Sequence, residues 1–431
     1  MNREYDVIVV GSGAGGAAVA CELTRAGKKV LLLERGGRTR IMGNTLTVAL
    51  SLEKFGLTRS REKNTVVFGN NYGGLSLLSA GCAIPPQKSI FDPVGVDLCA
   101  ETESARKEMW VQVLPDELAG AVNLRLLEAA NDAGFHWQRV ENFIDARKCR
   151  PDCGACMLGC PTGAKWNARV YADEAIAGGA DLRLHTTVSS VLMENGKAVG
   201  VEGRRLGRKV SYHSKAVVLS AGTGNVSILR KAGIREAGNG FCCDWLQFVG
   251  GIIPGMRTGR SNPMTVGTME HYEADGIAIM PVFPNWAQFA VMLGFMGGKA
   301  LRRLPDFWRY TGLMVKIRDE RQGAIFGGTS FSKPITRDDM AKLNKGIEII
   351  RKILKKAGAD MNRILVLKPS GAHPSATCGI GRVVDGNLQT AIANLYCCDS
   401  SVFPSSLGTP TVWTNVALGK RLGKHLSGKT G

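Results

Sequence analysis

The sequence is poor in histidine: six in 431 residues, with none before His136. Few side chains can therefore serve as a proton acceptor near neutral pH. Acidic residues are also short, 37 Asp and Glu against 55 Lys and Arg, which leaves a formal charge of +18. Such an excess could face nucleic acid, but no recognised nucleic-acid module accompanies it and the basic residues are dispersed. An acidic redox carrier, a partner subunit or an anionic membrane surface is the more economical counterpart. No secretory leader is expected, because Met1 to Tyr5 runs straight into the apolar strand Val7-Ile8-Val9-Val10. The expected location is the cytoplasm, with peripheral contact to the inner face of the membrane left open. The apolar run Trp286 to Ala300 is too short to span a bilayer. Followed by Arg302, Arg303, Trp308, Arg309 and Tyr310, it has the composition of an interfacial helix or of a helix covering a cavity. No internal repeat is visible. With 44% hydrophobic and 21% charged residues, disorder, collagen and coiled coil are excluded.

What is abundant is glycine, 54 residues, and it is informative first at the N-terminus. Tyr5 to Val10 reads as a buried strand, Ala14 to Ala26 as a helix of small residues and Lys29 to Glu34 as a second strand. Gly11-Ser12-Gly13-Ala14-Gly15-Gly16 lies between the first strand and the helix and fits G-x-G-x-x-G. Gly11 permits a tight turn, Gly13 lets the backbone approach a pyrophosphate, and Gly16 lets helix and strand pack closely. The helix offers unpaired N–H groups to phosphate, and Glu34 can accept from ribose hydroxyls. The motif does not separate FAD from NAD. Further on, Arg35 to Lys107 suggests long loops, Asp116 to Ala133 and Trp166 to Ala177 helices, and Leu182 to Val201 a hairpin turning at Asn195-Gly196. Ala216 to Leu219 is a short strand before Ser220-Ala221-Gly222. Phe248 to Phe331 suggests a second, more antiparallel sheet. Thr336 to Ala357 is a helix opened by a Thr336/Asp339 capping box.

The C-terminal stretch reads Ser370-Gly371-Ala372-His373-Pro374, then Asn394-Leu395-Tyr396-Cys397-Cys398-Asp399-Ser400-Ser401-Val402-Phe403-Pro404, then a terminal helix. It resembles the C-terminal segment of the glucose-methanol-choline (GMC) oxidoreductases, FAD-dependent enzymes that mostly oxidise alcohols. Val9 to Glu34, Tyr72-Gly73-Gly74-Leu75-Ser76, Asn195 to Val201 and Ser220 to Gly233 match other family segments in order. The resemblance implies an α/β fold: a Rossmann-type FAD-binding domain assembled from both chain ends, and an α+β substrate domain with a mainly antiparallel sheet. It implies FAD contacts at Gly11, Gly13, Ala14, Gly16, Glu34, Arg35, Gly73, Gly74, Val188, Ala221, Gly222, Asp399, Pro410 and Thr411. His373 would be the base that takes a hydroxyl proton while hydride goes to flavin N5; the alternative is a histidine that only caps a turn. Where the family usually carries a second His or Asn, this chain reads Gly408-Thr409-Pro410, so the hydroxyl-orienting partner is missing or replaced by Thr409. Without an early histidine, no histidyl link to the flavin is available.

Cys149-x3-Cys153-x2-Cys156-x3-Cys160-Pro161 differs by one residue from a ferredoxin run. Thiolates this close can surround one [4Fe-4S] cluster; zinc, or unliganded thiols, are the alternatives. The expected protein is thus an FAD-dependent dehydrogenase acting on CH-OH, passing electrons through the cluster to a carrier other than oxygen. The rivals are an electron-fed reductase of a carbonyl or activated C=C bond, and a non-catalytic electron-transfer flavoprotein. The expected divisions are 1–110, 181–247 and 369–431 for FAD binding, 111–180 for the cysteine segment and 248–368 for the substrate domain.

Overall fold

The computed structural model describes residues 4–429 apart from 41, 57, 259 and 260, so the first three residues of the expected leaderless start lie outside the described residues. Val7, Ile8 and Val9 are fully buried on both faces, as a central parallel strand requires. Tyr5–Val10 pairs in parallel with Val30–Leu33 on one side and with Arg208–Leu219 on the other. Asp181–Arg183 extends the sheet beyond Val30–Leu33, and Leu395–Cys397 joins the far end of Arg208–Leu219, also in parallel. A single layer therefore gathers strands from both ends and the middle of the chain. The helices Ala14–Arg25 and Val412–Lys429 pack on each other against it. A Cβ at Gly419 would stand 2.6 Å from Ala18 Cβ, so the glycine is what permits that approach. The first half of Arg208–Leu219 pairs antiparallel with Lys197–Arg205, which pairs in turn with Thr186–Glu194. Their turn uses Asn195 and Gly196 at φ of 50° and 75°, the left-handed pair expected of a type I′ hairpin.

The second sheet is antiparallel: Ile277–Pro281, Tyr310–Ile317, Trp245–Ile252 and Leu365–Val366, with Ser370–Gly371 added to the start of Trp245–Ile252. Strand alternation gives it two faces. Val249, Ile279 and Val315 pack under the helix Arg337–Lys356 through Leu343, Ile350 and Leu354. Leu246, Phe248, Met314 and Lys316 turn the other way and line a cavity. The α/β fold with a Rossmann-type layer and a mainly antiparallel second sheet is the one expected.

Two element expectations are corrected. Within Arg35 to Lys107, expected as long loops, lies the ten-residue helix Cys99–Glu108. Only Thr102 and Ala105 of it are buried, so it carries no apolar period; it starts where Asp97 Oδ1 accepts from Cys99 N and is fixed by Trp413 Nε1 donating to Thr102 O. The helix expected over Asp116 to Ala133 is two, Asp116–Ala119 and Ala121–Asp132, because Gly120 at φ 85° breaks it.

Candidate active site

The glycine turn after the first strand is forced by contact with the next. Gly11 has φ 104°, and a Cβ there would lie 2.2 Å from Ser220 O. Gly16 packs over Gly11. Beside Gly13, by contrast, a Cβ would meet nothing within 4 Å. That open side belongs to a cavity of about 560 Å³, lined by Gly11, Gly13, Ala14, Glu34, Arg35, Gly74, Val188, Ala221, Gly222, Asp399, Pro410 and Thr411. Asn71 and Asn415 line it too, and the Oδ1 of each is buried with no partner among the described residues. Unpaired acceptors in a long glycine-walled cavity at two helix N-termini fit a dinucleotide such as FAD. Glu34 is already engaged: Oε2 accepts from Ser12 N and Oγ at 3.0 and 2.7 Å, Oε1 from Gly36 N at 2.8 Å. Asp399 accepts from Gly222 N, Ser401 N and Asn225 Nδ2; burial pushes its carboxyl up, and these bonds oppose the shift. Arg35 is held by Glu53 at 2.8 Å. Gly73 lies behind the wall, its N–H donating to Ser12 Oγ.

The same cavity reaches His373. Ser370–Gly371 pairs with Trp245–Leu246, and a Cβ at Gly371 would lie 2.6 Å from Cys243 Sγ, so the chain before His373 is pressed against the second sheet. His373 N donates to Cys243 O, and the ring Nδ1 sits 2.9 Å from Asp244 Oδ2. Nδ1 is also 2.5 Å from Lys316 Nζ, so one ring nitrogen is held between a carboxylate that only accepts and an ammonium that only donates. Asp244 is buried at φ 48°, and its Oδ1 accepts from Ser406 Oγ at 2.6 Å and Gly408 N at 3.0 Å. Lys316 Nζ is 3.4 Å from Asp244 Oδ2 and donates to Thr409 O at 3.2 Å. Burial raises the Asp244 carboxyl, but Lys316 and His373 overcome it and bring it to about 2. Burial and the Lys316 charge lower the His373 pKa against Asp244. Burial likewise lowers that of Lys316. Ser406 Oγ, with one hydrogen between two acceptors, is also 2.6 Å from Asp319 Oδ1, whose carboxylate pairs with buried Lys333 at 2.7 Å, so four buried charges cancel in pairs. Thr409, expected as the orienting partner, enters this arrangement through its carbonyl and does not line the cavity. Asp244 and Lys316 are the functional residues sequence reasoning missed. The available signal was a lysine inside the otherwise apolar run Leu313 to Ile317.

The four clustered cysteines lie on one loop but do not close on a point. Among the described residues, no three His, Cys, Asp or Glu side chains are gathered closely enough to hold one metal ion. Zinc needs all its sulfurs about 2.3 Å from one centre, and that site is not preassembled among the described residues. The thiols have other contacts: Cys149 and Cys156 flank buried Asn262 at 3.9 and 3.8 Å, Cys160 Sγ accepts from Lys165 N, and Cys153 packs with Val48 and Leu158.

Comparison with known proteins bears on the whole chain. Residues 5–251 and 330–419 match the N- and C-terminal regions of the family described as GMC oxidoreductase. An uncharacterised GMC-type oxidoreductase of Mycobacterium tuberculosis is 27% identical over 82% of this chain, which spans only 60% of that relative's length. An uncharacterised protein of Methanocaldococcus jannaschii is 26% identical over 98% of this chain and 100% of its own. Other relatives include a long-chain-alcohol oxidase of Arabidopsis thaliana, 24% identical over 84% of this chain and 54% of its own. Among solved structures, a formate oxidase of Aspergillus oryzae superposes with a TM-score of 0.74 at 13% identity, covering 100% of this chain and 99% of that one.

Proposed function

Because this chain belongs to the GMC oxidoreductase family, we propose that it oxidises an apolar alcohol at the cavity where His373 meets the glycine-walled groove. The observation that carries the reading is that one cavity joins the phosphate-binding turn to a histidine held against a buried carboxylate. Gly11, Gly13, Ala14, Val188, Gly222, Asp399 and Thr411 would hold FAD, with Gly16 and Gly73 supporting the turn from behind. When bound, FAD supplies the hydride acceptor. His373 takes the hydroxyl proton, and Asp244 orients the ring and balances the imidazolium that results. Leu246, Phe248, Val282 and Met314 exclude water on the substrate side and favour an apolar carbon chain. An open cavity at His373 favours an enzyme over a sealed electron carrier. Acid precipitation should release FAD, and reduction of the bound flavin by a panel of alcohols tests the activity; colourless protein, or flavin that no alcohol reduces, would sink it.

The finer parts of the reading are proposals as well. The divisions at 110, 180, 247 and 368 remain our domain boundaries. For the cysteine loop we retain a [4Fe-4S] cluster that Cys149, Cys153, Cys156 and Cys160 would close around, passing electrons to an acidic carrier other than oxygen. Two observations favour it. Met157, next to Cys156, lines the cavity. Lys165 is 1% exposed and, among the described residues, its ammonium bonds to carbonyl and hydroxyl oxygens of Ser76, Leu77 and Ser79 and to no carboxylate. An anionic cluster would balance it. We also assign the outer face of the helix Trp286–Phe295 and its neighbours to an anionic membrane surface on the cytoplasmic side.

A further inference from the structure

We propose that Met280 sets the length of alcohol this site accepts, as a movable partition between the cavity at His373 and a second cavity that receives the far end of an apolar chain. The inference rests on the alcohol-oxidation reading and narrows its substrate to long-chain alcohols. The second cavity holds about 240 Å³, and buried Ala83, Ile84, Val140 and Met280 form its apolar lining. Its two charged residues are engaged elsewhere, Arg139 with Asp116 and Glu141 with Arg106. What is left suits hydrocarbon. One layer of side chains separates this space from the first. Met280 on the strand Ile277–Pro281 stands opposite Met314 on Tyr310–Ile317, so the two side chains leave the sheet on the same face with Cβ atoms about 5 Å apart. Met314 lines the cavity that reaches His373, and Met280 lines the second. Cys82 lines the first cavity with its Sγ 3.7 Å from Met280 Sδ, and Met264 packs against the apolar groups on both sides.

The partition is made of side chains that can yield. A methionine side chain is unbranched, turns about three bonds and adapts to irregular space, and the cysteine beside it is small. Burial pushes the Cys82 thiol up to about 12, so it stays protonated and gives Met280 Sδ a weak S–H bond that costs little to break. A Cβ at Gly267 would lie 2.7 Å from Met280 Cγ, so the glycine, itself on the wall of the second cavity, leaves the room that the methionine occupies. A chain seated with its hydroxyl at His373 runs past Leu246 and Met314, displaces the Met280 thioether and lies against Ile84 and Val140. Each methylene moved out of water there adds about fourfold to kcat/KM.

The test uses the flavin-loaded protein and the straight-chain series from 1-butanol to 1-decanol, over which kcat/KM should climb steadily. Met280→Phe stiffens the partition, and Ile84→Phe fills the second cavity from its other wall. Each should lower the ratio of kcat/KM for 1-decanol to that for 1-butanol about tenfold or more, the worth of two or so methylenes. A second readout needs no turnover. In protein labelled with methyl-¹³C methionine, 1-decanol should shift the Met280 methyl signal and 1-butanol should not, with Met280→Leu as the assignment control. If neither Phe variant folds, the methyl signal decides alone. A wild type without chain-length preference, variants that lose both alcohols equally and keep the ratio, or a Met280 methyl that ignores 1-decanol would overturn the proposal. A Met280 methyl that answers 1-decanol in a protein that turns over no alcohol would sink the oxidation reading and leave the second cavity standing as a chain site.

Discussion

The role proposed for His373 rests on what its ring meets, and the consequences can be measured one residue at a time. Its ring stands on the cavity wall against Asp244, so removing it should lower alcohol turnover by about 10²-fold or more while leaving FAD bound. His373→Asn is the variant to assay, and unchanged turnover would remove the residue from the reaction. The pH dependence has a definite sign. The base must be neutral, and burial and Lys316 both hold its pKa below the ordinary 6.5. The acid limb of kcat/KM should therefore fall below pH 6.5, with activity rising as pH increases through it; a limb at or above 6.5 would mean that Asp244 prevails. The sequence pointed to His373 through its resemblance to a family segment, and the structure puts that histidine on the cavity wall. It pointed to neither Lys316 nor Asp244. They meet because Lys316 faces Leu246 across two antiparallel strands while Asp244 precedes one of them, and register of that kind is set by packing, not by neighbours in the chain.

At the scale of single elements, local chemistry carried most of the reading. The G-x-G-x-x-G turn, the Asn195-Gly196 hairpin and the Thr336 cap are each specified within a few residues, and each stands where it was expected. The helix Cys99–Glu108 escaped because it is held by a distant tryptophan and a side-chain cap, with no apolar stripe of its own. The Thr336 cap gives a clean stability test. Its hydroxyl accepts from Asp339 N at 3.0 Å, and Asp339 Oδ2 accepts from Thr336 N at 3.1 Å, so both donors at the start of a twenty-residue helix are satisfied. That helix covers the core face of the substrate sheet. Thr336→Ala should cost about 1 kcal/mol in denaturant unfolding with the slope unchanged. A loss within error of zero would mean that the helix end is set by the sheet beneath it. The cysteine loop is the contrary case. Its spacing was legible, but spacing alone does not bring sulfurs to a common centre. Anaerobically purified protein should contain about four iron and four acid-labile sulfide per chain, and Cys153→Ala should lose them while keeping FAD. Protein with no iron and unreactive thiols would reduce the loop to packing around Asn262.

On the whole molecule, exposed large apolar side chains are unevenly placed. Of the eleven that are more than a third exposed among the described residues, six, Leu46, Leu50, Trp286, Met296, Leu301 and Trp308, lie in two segments. Thr45 Oγ1 donates to Asn285 Oδ1 at 3.5 Å, which joins the segments, and Val48, Leu52 and Gln288 from them line the cavity. The helix Trp286–Phe295 is thus cavity wall on one side, with Phe289 and Leu293 buried against Phe307 and Tyr310, and exposed apolar surface on the other. Among the described residues no helix is long and apolar enough to cross a membrane. Lys299, Arg302 and Arg309 are exposed in the same stretch, while Arg303 donates to Arg363 O and is less free to act. Aromatic and aliphatic side chains beside free cations suit the headgroup layer of an anionic bilayer, where each cation near the surface contributes about 1 kcal/mol and salt screens it. An alcohol dissolved in that layer would then meet the cavity without crossing water. Sedimentation with phosphatidylserine-containing vesicles should pull the protein down at low salt and release it at high salt. Trp286→Ser should weaken binding at every salt concentration, because it removes apolar contact. Lys299→Ser with Arg302→Ser should remove mainly the salt-sensitive part. Equal binding to neutral vesicles, or none to either, would leave the two segments as a cover over the cavity with no membrane beneath it.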